Sequence, residues 1–152
     1  MLSPMDRPSA DAVNAFLAAL GGASGTFYYG PTIEATCKGV ATGTPLVMGS
    51  GQSGTDLVTD GWTYGVTGIL KAGDFIGAGG YLYKLLADAN SDSSGNATLT
   101  LFPAIRPSLA DNTTIVVSSP KGVFYTTSQA EWNIDTDKIY GMKLTARERI
   151  FF

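Results

Sequence analysis

Tyr81-Leu-Tyr-Lys-Leu-Leu-Ala87, Asp88-Ala-Asn-Ser-Asp-Ser-Ser-Gly-Asn96 and Ala97-Thr-Leu-Thr-Leu-Phe102 decide the fold class. The outer segments have the length and residue types of strands, and the middle one is built from turn formers. The sequence therefore predicts two strands joined by a polar hairpin turn, with Gly95 supplying a positive φ. Working outward, Val66–Leu70, Asp74–Ile76, Thr114–Ser118, Val123–Thr127, Trp132–Asp135 and Ile139–Glu148 have the same character. Lys71-Ala-Gly-Asp74, Gly77-Ala-Gly-Gly80 and Pro120-Lys-Gly122 punctuate them. In the final strand Tyr140, Met142, Leu144 and Ala146 fall on one face. Many short strands at such intervals predict a mainly β protein, a β-sandwich or barrel of antiparallel strands.

The N-terminal part is different. Ser9 precedes Ala10–Leu20, and Gly21-Gly22 follows, so a helix is expected with Ser9 as N-cap, Asp11 in the first turn and a left-handed glycine stop. Val13, Phe16, Leu17 and Leu20 form one apolar stripe, while the face with Ala15, Ala18 and Ala19 is charge-poor. A short strand is expected at Thr26–Tyr29, and a loosely alternating one over Thr32–Thr42 that turns Ile33, Ala35, Cys37 and Val40 inward. Gly43–Gly61 is rich in Gly, Ser and Thr, with Leu46-Val47-Met48 and Leu57-Val58 its apolar residues. That composition suggests a surface arm or loop within a single domain spanning residues 1–152.

Composition bounds the chemistry. The chain of 152 residues is 44% hydrophobic but only 15% charged, against about 25% in an ordinary globular domain. Its surface must draw on 19 Gly, 17 Thr and 12 Ser instead. With no histidine, imidazole-dependent catalysis is excluded within the chain. A net charge of −3 with ten dispersed basic residues is the wrong footprint for a nucleic-acid binder. The start lacks a charged segment followed by an apolar run, so no signal peptide is expected. The longest apolar run, Ala15–Leu20, is far short of the ~20 residues of a membrane span.

The remaining candidates are weak. Cys37 stands alone among apolar neighbours and reads as a buried structural thiol, without disulfide or zinc partner. Three Glu and ten Asp, most of the latter in turn contexts, offer no evident acid pair. Asp88, Asn90 and Asp92 fall at positions 1, 3 and 5 of a calcium-type loop, with Ser94 and Asn96 continuing the spacing. Position 6 is Ser93 instead of Gly, and position 12 is Leu99 instead of a bidentate Glu, so a polar hairpin turn is the simpler account. Gly49–Gly54 is glycine-rich but lacks the Lys-Ser/Thr of a phosphate-binding loop. No catalytic, cofactor or metal residue is assigned, and no enzyme activity is expected.

Several ordered blocks are informative together. They are Val40-Ala-Thr-Gly-Thr-Pro-Leu-Val-Met-Gly-Ser-Gly-Gln-Ser-Gly54 running on to Asp60-Gly-Trp62; Gly68-Ile-Leu-Lys-Ala-Gly-Asp-Phe-Ile76; Tyr81 through Arg106; Pro120-Lys-Gly-Val-Phe-Tyr125; and a closing strand at Trp132. From about Pro8 onward this order resembles a family of small distal-tail or minor-tail proteins of long-tailed bacteriophages. The resemblance implies a tail-tube-like fold, a β-sandwich or barrel with a flanking helix. It implies a homo-oligomeric ring, hexameric or trimeric, joining the tail tube to the tip or baseplate. Tube and hub or tip proteins would be its partners, in a virion assembled in the host bacterial cytoplasm. Gly43–Gly61 would grip an adjacent ring. Relatives would carry a strand ahead of the helix, whereas here the helix begins at about Ser9. The alternative expectation is a carbohydrate-binding β-sandwich for host-surface attachment, motivated by the aromatic residues and the Asp88–Asn96 loop. Neither reading calls for a cofactor.

Overall fold

The computed structural model describes residues 2–128, 131–134 and 140–150. The protein is mainly β, with one N-terminal helix, and its chain forms two compact units. Among the described residues no helix is long and apolar enough to cross a membrane.

The larger unit, residues 29–122 with the C-terminal residues from 150, is built on a six-stranded antiparallel sheet. We number all strands in chain order, β1 to β12. Here β3 (Gly43–Val47), β4 (Gly54–Trp62), β5 (Phe75–Ala78), β6 (Tyr81–Leu85), β7 (Ala97–Ile105) and β8 (Ile115–Val116) lie in the order β3-β4-β7-β6-β5-β8. The sheet nearly closes on itself. Val47 N–H donates to Thr113 O at 2.9 Å, Asn112 N–H donates to Val47 O at 2.9 Å, and Leu46 bridges Thr114. Alternation explains the interior: Tyr81, Tyr83 and Leu85 on β6 and Ala97, Leu99 and Leu101 on β7 all point into one core with Leu57, Ile69, Leu70 and Ile76. A small barrel is filled in this way by every second side chain of each strand.

Gly43–Gly61 is not an arm. It forms β3 and β4, paired antiparallel through Leu46↔Asp60 and Val47↔Thr59, and β4 also pairs with β7 along Asp56↔Thr100 to Thr59↔Ala97. Two features hide these strands in the sequence. Thr59 occupies a fully buried position, where its Oγ1 donates to Ala97 O and accepts from Trp62 Nε1, both at 2.8 Å. A polar residue thereby sits in the apolar register. Gly43 and Gly61 then let the two backbones approach so closely that a Cβ on either would strike the other strand.

The connection between β3 and β4 is ordered by one side chain. Gln52 Nε2 donates to the carbonyls of Met48 (2.9 Å), Gly49 (3.2 Å) and Val58 (3.0 Å), and its Oε1 accepts from Val58 N–H at 2.6 Å. Gly49 N–H and Gly51 N–H donate in turn to Asp111 Oδ1 (2.6 Å) and Ser108 Oγ (3.0 Å). Gln52→Ala should therefore destabilise the protein by about 1–2 kcal/mol in urea denaturation. Gln52→Glu should cost more, because a carboxylate would face the three carbonyls.

Two further segments depart from expectation. Thr32–Thr42 is no strand: Thr36 bridges Ser118, Ile33 is 97% exposed and Val40 is 61% exposed. Val66–Leu70 is a turn ending in an isolated bridge from Leu70 to Ala89, and not a strand; its Ile69 and Leu70 are buried, and a buried turn carries the same apolar run as a buried strand. The segment is latched by its neighbour instead. Gly68 N–H donates to Asn90 Oδ1 (2.7 Å), Val66 N–H to Ser91 Oγ (2.9 Å), and Ala89 N–H to Leu70 O (3.0 Å).

The smaller unit, residues 1–28 and 123–149, contains α1 (Arg7–Leu20) and short sheets. Three strands, β1 (Leu2–Met5), β11 (Tyr140–Lys143) and β10 (Glu131–Ile134), form one sheet with β11 in the centre. A second sheet has the order β12-β9-β2, from Ala146–Glu148, Gly122–Thr126 and Phe27–Tyr29. A strand does therefore precede the helix. The single strand expected over Ile139–Glu148 divides after Lys143 into β11 and β12, which belong to different sheets, although Met142, Leu144 and Ala146 keep their alternation in burial. Asp135 and Ile139 lie outside the described residues.

Helix α1 begins earlier than Ser9. Asp6 is the N-cap, accepting from Ser9 N–H at 3.1 Å, and Pro8 occupies the first turn, where a missing N–H costs nothing. Asp11 consequently lies beyond the first turn, 3.7 Å from Arg7 on an exposed face. Gly21 closes the helix in the left-handed conformation, φ 63°, as expected. Of the helix residues only Ala10 is fully buried; Val13, Leu17 and Leu20 are half-buried and Phe16 packs edge-on against Phe27 at 5.8 Å.

Candidate functional site

The Asp88–Asn96 loop, whose spacing is of calcium type, is spent on internal contacts. Asp88 Oδ2 pairs with Lys71 Nζ at 2.8 Å and its Oδ1 accepts from Ala72 N–H at 2.9 Å. Asn90 Oδ1 is the acceptor that holds Gly68. Asp92 Oδ1 accepts from Ser94 N–H (2.7 Å) and Asn96 N–H (2.8 Å), which makes it the internal cap of its own turn. Gly95 takes the expected positive φ of 80°. Three side chains at calcium-type spacing are thus turned to three different tasks, and among the described residues no group of three His, Cys, Asp or Glu gathers as a metal site.

These tasks set a pH dependence. The Lys71 ammonium and the Ala72 N–H hold the Asp88 carboxyl below its usual range, and the Asn96 and Ser94 N–H groups do the same for Asp92. A carboxylate whose folded pKa is depressed stabilises the fold above its unfolded pKa of about 3.9, and that contribution is lost as pH falls through the folded value. Melting temperature should therefore drop in acid below about pH 4, and Asp92→Asn should flatten that drop while lowering the melting temperature at neutral pH.

Cys37 is half-buried against the barrel core, with Sγ 3.6 Å from Gly39 O. Burial, and secondarily the Asp74 carboxylate, pushes its thiol up, away from the reactive thiolate. A further spacing in the sequence, Ser118-Ser-Pro-Lys121, has the Ser-x-x-Lys form used by some acyl-transfer enzymes. Here Ser118 bridges Thr36, Ser119 has φ 48° and Pro120 is buried, so the segment lacks the helical turn that brings such a lysine onto its serine.

Asp74 has the sequence context of an ordinary turn residue, yet it is the most constrained carboxylate of the barrel unit. It is 3% exposed. Its Oδ1 accepts from Lys38 N–H at 2.9 Å, and its Oδ2 from Gly39 N–H at 3.2 Å and Lys71 N–H at 2.8 Å. Three donors and no open side make it a structural clamp between residues 38–39 and the turn before β5.

Two surface features remain. The first is a groove of about 680 Å³ along Gly43-Thr44, Asp60–Tyr64, Ser94 and Asn96. Gly43 and Gly61 contribute backbone alone to its lining. The Trp62–Tyr64 and Asp92–Asn96 turns wall it, joined by Trp62 N–H to Gly95 O (3.1 Å) and Gly65 N–H to Asp92 O (2.8 Å). Tyr64 is 72% exposed, and the Asp60 Oδ1 atom is buried without a hydrogen-bond donor. The second is the outward face of β4, β7 and β6. There Val58 opposes Thr98, Phe102 opposes Lys84, and Leu86 N–H reaches Thr100 O. Val58, Leu86 and Phe102 are all exposed on it, Phe102 to 63%.

The sequence matches no protein-family model and no curated protein.

Proposed function

We propose that the protein is a structural subunit of a bacteriophage tail, assembled as a homo-oligomeric ring at the distal end of the tail tube, with no catalytic role. The ordered sequence blocks supply the tail assignment. The observation that carries the assembly is the exposed apolar surface of a chain that is only 15% charged. Val58 on β4 and Phe102 on β7 stand out on the barrel with Leu86, just past the end of β6, and Tyr28 and Tyr29 on β2 are 73% and 57% exposed. Solvent-facing apolar groups clustered on a regular sheet are a feature of interaction surfaces. Symmetric closure of a ring buries such a patch on every subunit and leaves none at the ends.

The test is the oligomeric state. Light scattering of the purified protein should give three or six times the 15.9 kDa chain mass, and electron microscopy should show rings. Phe102→Asp combined with Leu86→Asp should reduce the mass toward the monomer without lowering the melting temperature, since both side chains are already in solvent. A monomer at every concentration, together with absence from purified tails of the phage that encodes it, would overturn the reading.

A further inference from the structure

The groove over Gly43 and Gly61 has the makings of a ligand site that the ring reading neither needs nor explains. It combines an aromatic ring, 72% exposed at Tyr64, with a polar wall of Asp60, Ser94 and Asn96. The ring is not free to fold away. Gly95 lies against its edge, so closely that a Cβ there would stand 3.1 Å from Tyr64 Cδ1. Asn96 is likewise fixed, its Nδ2 donating to Asp92 Oδ2 at 3.2 Å, which leaves its Oδ1 as an acceptor.

The chemistry selects a ligand class. No Lys or Arg lines the groove and Asp60 is its acidic side chain, so nothing there recruits phosphate, sulfate or carboxylate ligands. The Asp60 and Asn96 side chains in the lining suit a ligand that brings donors, and exposed Tyr64 suits one with a flat apolar face. A polyhydroxylated ring has both, with hydroxyl donors around its rim and C–H groups on its face. A second hollow of about 380 Å³ lies beside it and shares Asn96. We propose that this groove binds a neutral saccharide, stacked on Tyr64 and hydrogen-bonded by Asp60 and Asn96. The inference is independent of ring assembly, since every residue it uses belongs to the barrel of one chain.

The experiment is an amide-resolved NMR titration of the full chain with methyl glycosides of glucose, galactose, mannose and N-acetylglucosamine, and with tetramethylammonium as a cationic probe. At least one saccharide should shift the amides of Gly43, Gly61, Tyr64 and Asn96. Tyr64→Ala should weaken that binding roughly 5–10-fold and Tyr64→Phe should retain it, as expected for the loss or retention of one aromatic contact. Asp60→Asn tests the acceptor separately and should weaken it as well. Tyr64 is exposed, so its variants should melt with the wild type, which separates lost binding from lost folding. The proposal is overturned if no saccharide perturbs these amides, if tetramethylammonium does so and the saccharides do not, or if Tyr64→Ala binds as tightly as wild type.

Discussion

Asp74→Ala is expected to destabilise the protein by about 2–4 kcal/mol, a large fraction of the roughly 5–15 kcal/mol margin of a folded domain. The carboxylate is closed to solvent and accepts from three backbone N–H groups, those of Lys38, Gly39 and Lys71. Alanine removes both acceptor oxygens, and with them three hydrogen bonds, leaving three N–H donors without that partner. Asp74→Asn tests the cause more sharply. One carboxylate oxygen serves Lys38 and the other serves both Gly39 and Lys71, so either orientation of an amide sets its NH2 group against at least one N–H. The asparagine variant should therefore lie close to alanine, despite matching aspartate in shape. A thermal melt should move down by on the order of 10 °C in both. A variant with asparagine as stable as wild type would show that the clamp depends on shape and not on charge.

Gly95→Ala should be nearly as damaging, at about 2–4 kcal/mol. Two costs add there. Gly95 has φ 80°, which a Cβ disfavours, and the new methyl would strike the Trp62 carbonyl oxygen and crowd the Tyr64 ring. Gly51→Ala separates the two costs, because Gly51 has nearly the same φ, 79°, and a methyl there would meet nothing within 4 Å. The Gly51 variant should lose only the conformational part, about 1–2 kcal/mol. The difference in urea midpoint between the two variants then measures the contact between the two turns. Equal losses would mean that the backbone angle alone makes Gly95 necessary.

The strands from Phe75 to Val116 are legible because a half-buried strand writes its two faces as alternating residues, as Tyr81-Leu-Tyr-Lys-Leu85 does. β3 and β4 are not legible, for the opposite reason. Thr59 is a core residue in polar form, made tolerable by Ala97 O and the Trp62 indole, and no alternation survives it. Gly43 and Gly61 suggest slack chain but mark a close approach of two strand backbones. Val66–Leu70 fails the other way, since burial of a turn and burial of a strand leave the same apolar run. The signal that places the helix start is Asp6 with Pro8, a first-turn proline two residues after an aspartate, and it outweighs Ser9.

Of the surface features, the spacing of Asp88, Asn90 and Asp92 is visible and the local cap of Asp92 with it, but Lys71, Ala72 and Gly68, the partners of Asp88 and Asn90, lie 16 to 22 residues away, and sequence spacing cannot report that. The groove is hidden for the same reason. Tyr64 and Asn96 meet only because two turns are sewn back to back.

Closure of the six-stranded sheet also decides where this chain can share hydrogen bonds with a neighbour. Once Val47 is joined to Asn112 and Thr113, the barrel has consumed its own outermost strands. Its contacts with other molecules must be made by side chains. Among the described residues, the borders of the three-stranded sheets are β1 and β10 in one and β2 and β12 in the other. Of these β1 contains Pro4, which has no N–H to give and so discourages pairing on that border. A continuous intermolecular sheet, if this protein builds one, must therefore grow from β10, β2 or β12, and the barrel can only decorate it.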